Sequence, residues 1–226
     1  MRRKYDKIFR MNLIIGNKRY SSWSFRPWFL MKMAGIPFKE THLWIRKPDS
    51  LAKIRKFSPG GRVPVLIDGN VKVWESVAIC EYLAEKFPKK QLWPKEAKAR
   101  AEASSVSHEM HAGFMAMRLN LPCHFINRYS NFVVPDDAQA DLARIQEIWN
   151  ECRKKYGKGG PFLFGKFSVA DAMYAPVVFR FLAYGVKGDS KISKAYMDTI
   201  EALPVSQEWV RLARQEKERI PAYEKS

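Results

Sequence analysis

Ser21, Ser22 and Ser24 crowd the short stretch Tyr20–Trp28, between the apolar run Leu13-Ile14-Ile15 and a helix-forming segment, Phe25–Met33. Hydroxyls placed ahead of a helix N-terminus, where free N–H groups and the helix dipole converge, form a donor set for an anion. Ser24 is positioned as the N-cap of that helix, with Pro27 in its first turn, where a missing N–H costs little. Two further groups of residues have types suited to holding a ligand. Val63-Pro64-Val65 sets a proline into a strand run, where it normally demotes the strand. A cis Val–Pro bond at the strand entrance resolves that conflict and turns the Val63 backbone outward, free to pair with an extended peptide. Downstream, Trp74-Glu75-Ser76 ends a strand and opens a helix. The Ser76 hydroxyl and N–H there could meet a carboxylate, or Ser76 could simply cap its own helix.

The elements that must carry these residues alternate through the first ninety positions. A strand over 12–15 is followed by the helix over 25–34, closed by Gly35 and Pro37. A second strand over 38–45 and a short helix over 49–57 lead to Ser58-Pro59-Gly60-Gly61. Val63–Ile67, a turn at Asp68-Gly69-Asn70 and Val71–Trp74 then read as a hairpin, before a helix over 75–87 that Pro88 stops. Beyond Leu92-Trp93-Pro94 strand signals vanish. Helices are expected over 95–119, 136–156, 168–183, 195–202 and 206–219. In the second, Leu142, Ile145, Trp149, Cys152 and Tyr156 step by three and four along one apolar face. The expected organisation is a basic extension (1–10), an α/β domain ordered βαβαββα (11–90) and an all-helical domain (95–226).

Composition narrows the function classes. The net charge of +17 is spread as +4, +7 and +6 over residues 1–10, 11–88 and 89–226. No groove or helix face concentrates it, which argues against specific nucleic-acid binding and leaves a diffuse field attractive to small anions. No apolar run approaches a membrane span. Cys80, Cys123 and Cys152 are odd in number and widely spaced, which reads as reduced core thiols in a cytoplasmic protein. His108 and His111 lie three apart with no third ligand in view, so no metal is expected. Ser168-Val169-Ala170-Asp171 has capping-box spacing, and Asp171 reads as a folding element.

Taken together, "SPGGRVPVL" with "VWESVAICEYL", the serine segment "YSSWSFRPW" and "FSVADAMYAP" resemble the soluble glutathione transferases, over residues 12–220. The serine segment looks like that of bacterial and zeta-like members. The resemblance implies a thioredoxin-like domain binding glutathione as co-substrate, a helical domain lining the site of a small electrophile, and a homodimer. It assigns the sulfur contact to Ser21, with Ser22 assisting, and the cysteinyl contact to Val63 ahead of a cis Pro64. The γ-glutamyl end falls to Glu75 and Ser76, and Arg62 matches more weakly. For the electrophile pocket the candidates are Trp23, His111, Met115, Arg118 and Arg180, the histidine, methionine and Arg118 sharing one helix face. Two alternatives stand beside transferase activity. One is a zeta-like maleylacetoacetate-type isomerase, from which the chain departs by carrying Trp23 in place of a cysteine and Arg180 one turn early. The other is a non-catalytic binding protein of the same fold.

One serine is energetically sufficient. A thiol with an ordinary pKa of about 8.5 needs about 2 kcal/mol of added preference to be half ionised near neutral pH. A hydrogen bond to a charged acceptor supplies about 1.5–3 kcal/mol, and a helix N-terminus adds about 0.3–1 kcal/mol.

Overall fold

The structure, a computed structural model, describes residues 10–224. The basic extension expected over 1–10 therefore lies outside the described residues, apart from Arg10. Four strands form one mixed sheet in the order β2-β1-β3-β4. β1 (Met11–Ile15) runs parallel to β2 (Lys39–His42) and antiparallel to β3 (Val65–Asp68), which pairs antiparallel with β4 (Val71–Trp74). The register sets Leu13 opposite Glu40 on one side and Leu66 on the other. Between and after the strands come α1 (Ser22–Met33), α2 (Ser50–Arg55) and α3 (Ser76–Lys86), so the βαβαββα order is present. The two inner strands, β1 and β3, are mostly apolar and buried along nearly their whole length, whereas β2 and β4 carry polar edge positions.

Six helices follow: α4 (Ala97–Ala112), α5 (Met115–Asn120), α6 (Asp136–Tyr156), α7 (Val169–Ala183), α8 (Lys191–Ala202) and α9 (Pro204–Gln215). α7 is apolar on all sides and buried throughout, except at Leu182. A helix of that composition needs neighbours all round, and α1, α3, α4 and α8 provide them. Asp171 completes its capping box: one carboxylate oxygen accepts from the Leu163 N–H at 2.9 Å, the other from the Ser168 N–H at 2.9 Å.

Two sequence expectations change here. The helix expected over 95–119 is broken after Ala112, where Gly113 and Phe114 (φ +63°) turn the chain before α5 starts. The first helix starts three residues earlier than expected, with Ser21 and not Ser24 as its N-cap. Pro27 consequently sits in the second turn, buried. The three cysteines are free thiols and buried. Among the described residues no helix is long and apolar enough to cross a membrane.

Candidate active site

A cleft of about 970 Å³ opens between the sheet end and the helical half. One wall comes from the segments after β1 and β4 and the segment that leads into β3, bringing together Ser21, Ser22, Arg62, Val63, Pro64 and Glu75. The other wall presents His111, Arg118, Cys123 and Arg180, with Trp23 lining the cleft beside them.

The serine end is built by local geometry. The chain leaves β1 through Gly16, whose backbone N–H donates to Ser24 Oγ at 3.0 Å. Ser21 Oγ accepts from the Ser24 N–H at 3.3 Å, capping α1, and donates to Ser24 Oγ at 2.8 Å. The cap uses a lone pair, and a ligand would gain the Ser21 proton by reversing the bond to Ser24. Ser24 Oγ can turn its own proton toward Ser21 and leave the Ser21 proton pointing into the cleft. Ser21 is 7% exposed and Ser22 6%, so a bound anion would meet them largely out of water. Beneath them, space is so restricted that a Cβ on Gly16 would lie 3.1 Å from a Val63 methyl and 3.5 Å from Ser21 Oγ. The Val63–Pro64 bond is cis, as the sequence suggested. The Arg62 N–H is held by Ser58 Oγ at 3.2 Å.

Glu75 stands at the head of α3 with φ +69°, a left-handed conformation that costs a non-glycine residue energy and recurs at ligand sites. Its carboxylate lies 3.8 Å from His111 Nε2 across the cleft. Ser76 behaves differently from expectation. It is fully buried, is not a cap, and its hydroxyl accepts from Arg26 Nη1 at 3.4 Å. Only its backbone N–H, in the first turn of α3, remains suited to a carboxylate.

On the helical wall, the Trp23 indole has the Arg26 guanidinium 4.4 Å from its centroid and the Arg118 guanidinium at 4.8 Å, with His111 edge-on at 5.2 Å. Burial, reinforced by Arg26, holds His111 below its ordinary range, which favours the neutral imidazole. Met115 is not in the cleft. It is 58% exposed, because the break at Gly113 rotates α5 away from the face that carries His111. Arg118 reaches the cleft from α5, fixed by the carbonyls of Met110 and Gly113 at the end of α4. Lys53 pairs with Asp49 and is not a lining residue.

Several lining residues were not foreseen: Tyr20, Arg46, Lys47, Trp74 and, from the far end of the chain, Tyr223. Arg46 Nη2 donates to the Tyr223 hydroxyl at 3.2 Å. The Arg46-Lys47 pair in the loop after β2 was a visible basic signal; nothing local marks Tyr223.

Comparison with known proteins identifies the family. Residues 20–86 match the family model "Glutathione S-transferase, N-terminal domain", and 135–211 match "Glutathione S-transferase, C-terminal domain". The chain belongs to the glutathione S-transferases. Among curated proteins it is 30% identical over 146 residues to mouse glutathione S-transferase theta-1, which is 62% of this chain and 61% of the mouse protein. It is 22% identical over 170 residues to a stringent starvation protein A homolog of Haemophilus ducreyi, covering 74% of each. Of solved structures, a glutathione transferase homologue from Burkholderia strain BGR1 with bound glutathione superposes with a TM-score of 0.68. That match covers 91% of this chain and 99% of the other at 22% identity, and it speaks to the fold alone. The glutathione S-transferase fold, a thioredoxin-like domain followed by a helical one, is thus present in full.

Proposed function

We propose that this glutathione S-transferase binds glutathione in the cleft and ionises its thiol for attack on a small electrophile. The observation that supports this most is the position of Ser21: the cap of α1 through its lone pair, at a helix N-terminus inside the cleft, with a hydroxyl proton that turning the Ser24 hydroxyl would release to a ligand. The thiol proton leaves to solvent, and the Ser21 O–H and the dipole of α1 stabilise the sulfur anion. A sulfur lone pair then forms the C–S bond as the leaving group departs with its electrons, or as a π bond accepts them. The Val63 backbone pairs with the cysteinyl unit; Glu75 and the Ser76 N–H hold the γ-glutamyl end, and Arg62 assists. The reading includes a cytoplasmic location, in keeping with three free buried thiols, and a homodimer.

The test is a titration with glutathione, followed by thiolate absorbance against pH, and then a conjugation assay. Saturable binding with a thiol ionising well below its free value, plus turnover, supports the proposal. Binding without turnover of any electrophile would instead make this a binding protein. No binding at all would remove the reading.

A further inference from the structure

Two arginines, Arg118 and Arg180, line the helical side of the cleft, a third, Arg26 of α1, lies against Trp23, and among the described residues none of the three forms an ion pair with a carboxylate. Arg180, in the last turn of α7, is 5% exposed, lines the cleft and donates to the Leu121 carbonyl. Arg118 donates to the carbonyls of Met110 and Gly113. Arg26, 1% exposed, donates to the Met173 carbonyl at 3.2 Å and to Ser76 Oγ. A guanidinium carries five donors, so neutral carbonyls meet only part of each one's needs and none of its charge. No acidic group reaches ion-pair distance of them among the described residues. Asp141 accepts the Met117 N–H at 2.9 Å and acts on Arg118 only from farther off, and Glu75 faces His111.

We infer that the second-substrate end of the cleft takes an electrophile bearing a carboxylate, received by Arg180 with Arg118 beside it and seated against the Trp23 indole. This rests on the glutathione reading of the same cleft and names the class of its partner. A neutral apolar electrophile closing over Arg180 would strip water from an uncompensated charge, which opposes binding. A carboxylate supplies the missing counter-charge and can accept two parallel N–H bonds from one guanidinium. Mutual repulsion points the same way. Burial first, and then Arg118 and Arg180, push Arg26 down to about 9; burial and then Arg180 push Arg118 down to about 10. A guanidinium keeps its charge at neutral pH, so an anion among them relieves mutual repulsion. The Trp23 indole, with the Arg26 and Arg118 guanidiniums over its ring and His111 at its edge, fixes Arg118 beside the place where the carboxylate would sit.

The glutathione carboxylates could themselves claim these arginines, so the probes must hold the tripeptide constant. S-(carboxypropyl)glutathione and its primary amide differ only in charge at the far end of the sulfur substituent. By calorimetry on the intact wild-type chain, the acid should bind about ten- to hundredfold more tightly than the amide. Arg180→Gln should bring the two close to parity and leave the affinity for glutathione itself within about twofold. Arg118→Gln, at a less buried position, should reduce the preference in part and covers the case in which Arg180→Gln does not fold. Equal binding of the two conjugates by the wild type overturns the inference while the glutathione reading stands. So does a preference that survives at Arg118→Gln and Arg180→Gln alike, or a parallel loss of glutathione affinity in Arg180→Gln, which would assign the arginine to the tripeptide. If neither conjugate nor glutathione binds the wild type, both fall together.

Discussion

The Glu216 carboxylate accepts the backbone N–H of Lys18 at 2.7 Å, across nearly the whole length of the chain. Its other oxygen accepts the Arg19 N–H at 3.0 Å, and Trp209 donates its indole N–H to the Lys18 carbonyl at 2.9 Å. The loop that delivers Ser21 is therefore clasped by α9 and the residue following it. Glu216→Ala should leave two loop N–H groups unpaired, lowering stability by about 1–3 kcal/mol. Freed from the clasp, the loop should cost about tenfold in kcat/KM for glutathione. Steady-state kinetics at saturating electrophile checks this; unchanged kcat/KM in a destabilised variant would confine Glu216 to a structural part.

The same carboxylate carries a pH signature. Burial raises the Glu216 pKa, but the bonds from His42, Lys18 and Arg19 outweigh it and the net direction is down. A carboxylate depressed in the folded state contributes stability above its unfolded value, near 4.3, and loses it as pH falls through the folded one. Wild-type melting temperature should thus drop more steeply than that of Glu216→Gln as pH is lowered below about 4.5. Parallel acid profiles would remove the linkage.

Ser21→Ala should raise the pKa of bound glutathione by about one to two pH units and cut turnover at neutral pH by about ten- to hundredfold. It should also cost about 1 kcal/mol of stability, because Ser21 is the cap. Ser24→Ala removes the acceptor of the buried Gly16 N–H and should destabilise by about 1–3 kcal/mol with a smaller change in the thiolate titration. Ser22→Ala should have the least effect. A titration that moves with Ser22 and not with Ser21 would reassign the donor by one position.

Gly16→Ala puts a methyl 3.0 Å from the Ile45 side chain and 3.1 Å from that of Val63. Both neighbours line the cleft, so they should yield into it. Glutathione affinity should fall severalfold, while the melting temperature changes little. A large stability loss at intact affinity would show that the wall cannot move.

Asp171→Ala should destabilise by about 2 kcal/mol or more, since the Leu163 and Ser168 N–H groups lose their partner inside the core. Burial, opposed by those bonds, lifts Asp171 to about 6. A raised carboxylate contributes most when protonated, so its stabilisation is full below its ordinary value of about 4 and declines as pH rises through about 6. The wild-type advantage over the alanine variant should therefore be larger at pH 4 than at pH 7 in chemical denaturation. Glutathione affinity should stay as it is in the wild type.

What could be read from the chain follows from how local each feature is. Val63-Pro64, Glu75 and the serine loop sit at strand ends, and a few adjacent residues specify their backbone, so short motifs disclosed them. The choice between Ser21 and Ser24 as cap was not legible, because both can cap and only the Gly16 N–H, which engages Ser24, separates them. Gly113 was a visible break that the helix expected over 95–119 ran through, and missing it misplaced Met115. Arg180 was found from its helix, but its want of a counter-charge depends on α4, α5 and α7 meeting, which no window of sequence contains. Tyr223 and Glu216 belong to the site through contacts about two hundred residues long.

Phe25, on the helix that follows the first strand, packs against Phe125 at 4.9 Å, Trp209 at 5.1 Å and Phe179 at 5.8 Å, all in the helical half. One aromatic cluster thus serves both halves. The α/β segment has no separate melting transition to offer, since losing the helical half would strip the outer face of α1 bare. Heat or denaturant should take the chain apart in a single cooperative step. A fragment ending near residue 90 would present Phe25 and Trp28 to water and associate with whatever apolar surface it met.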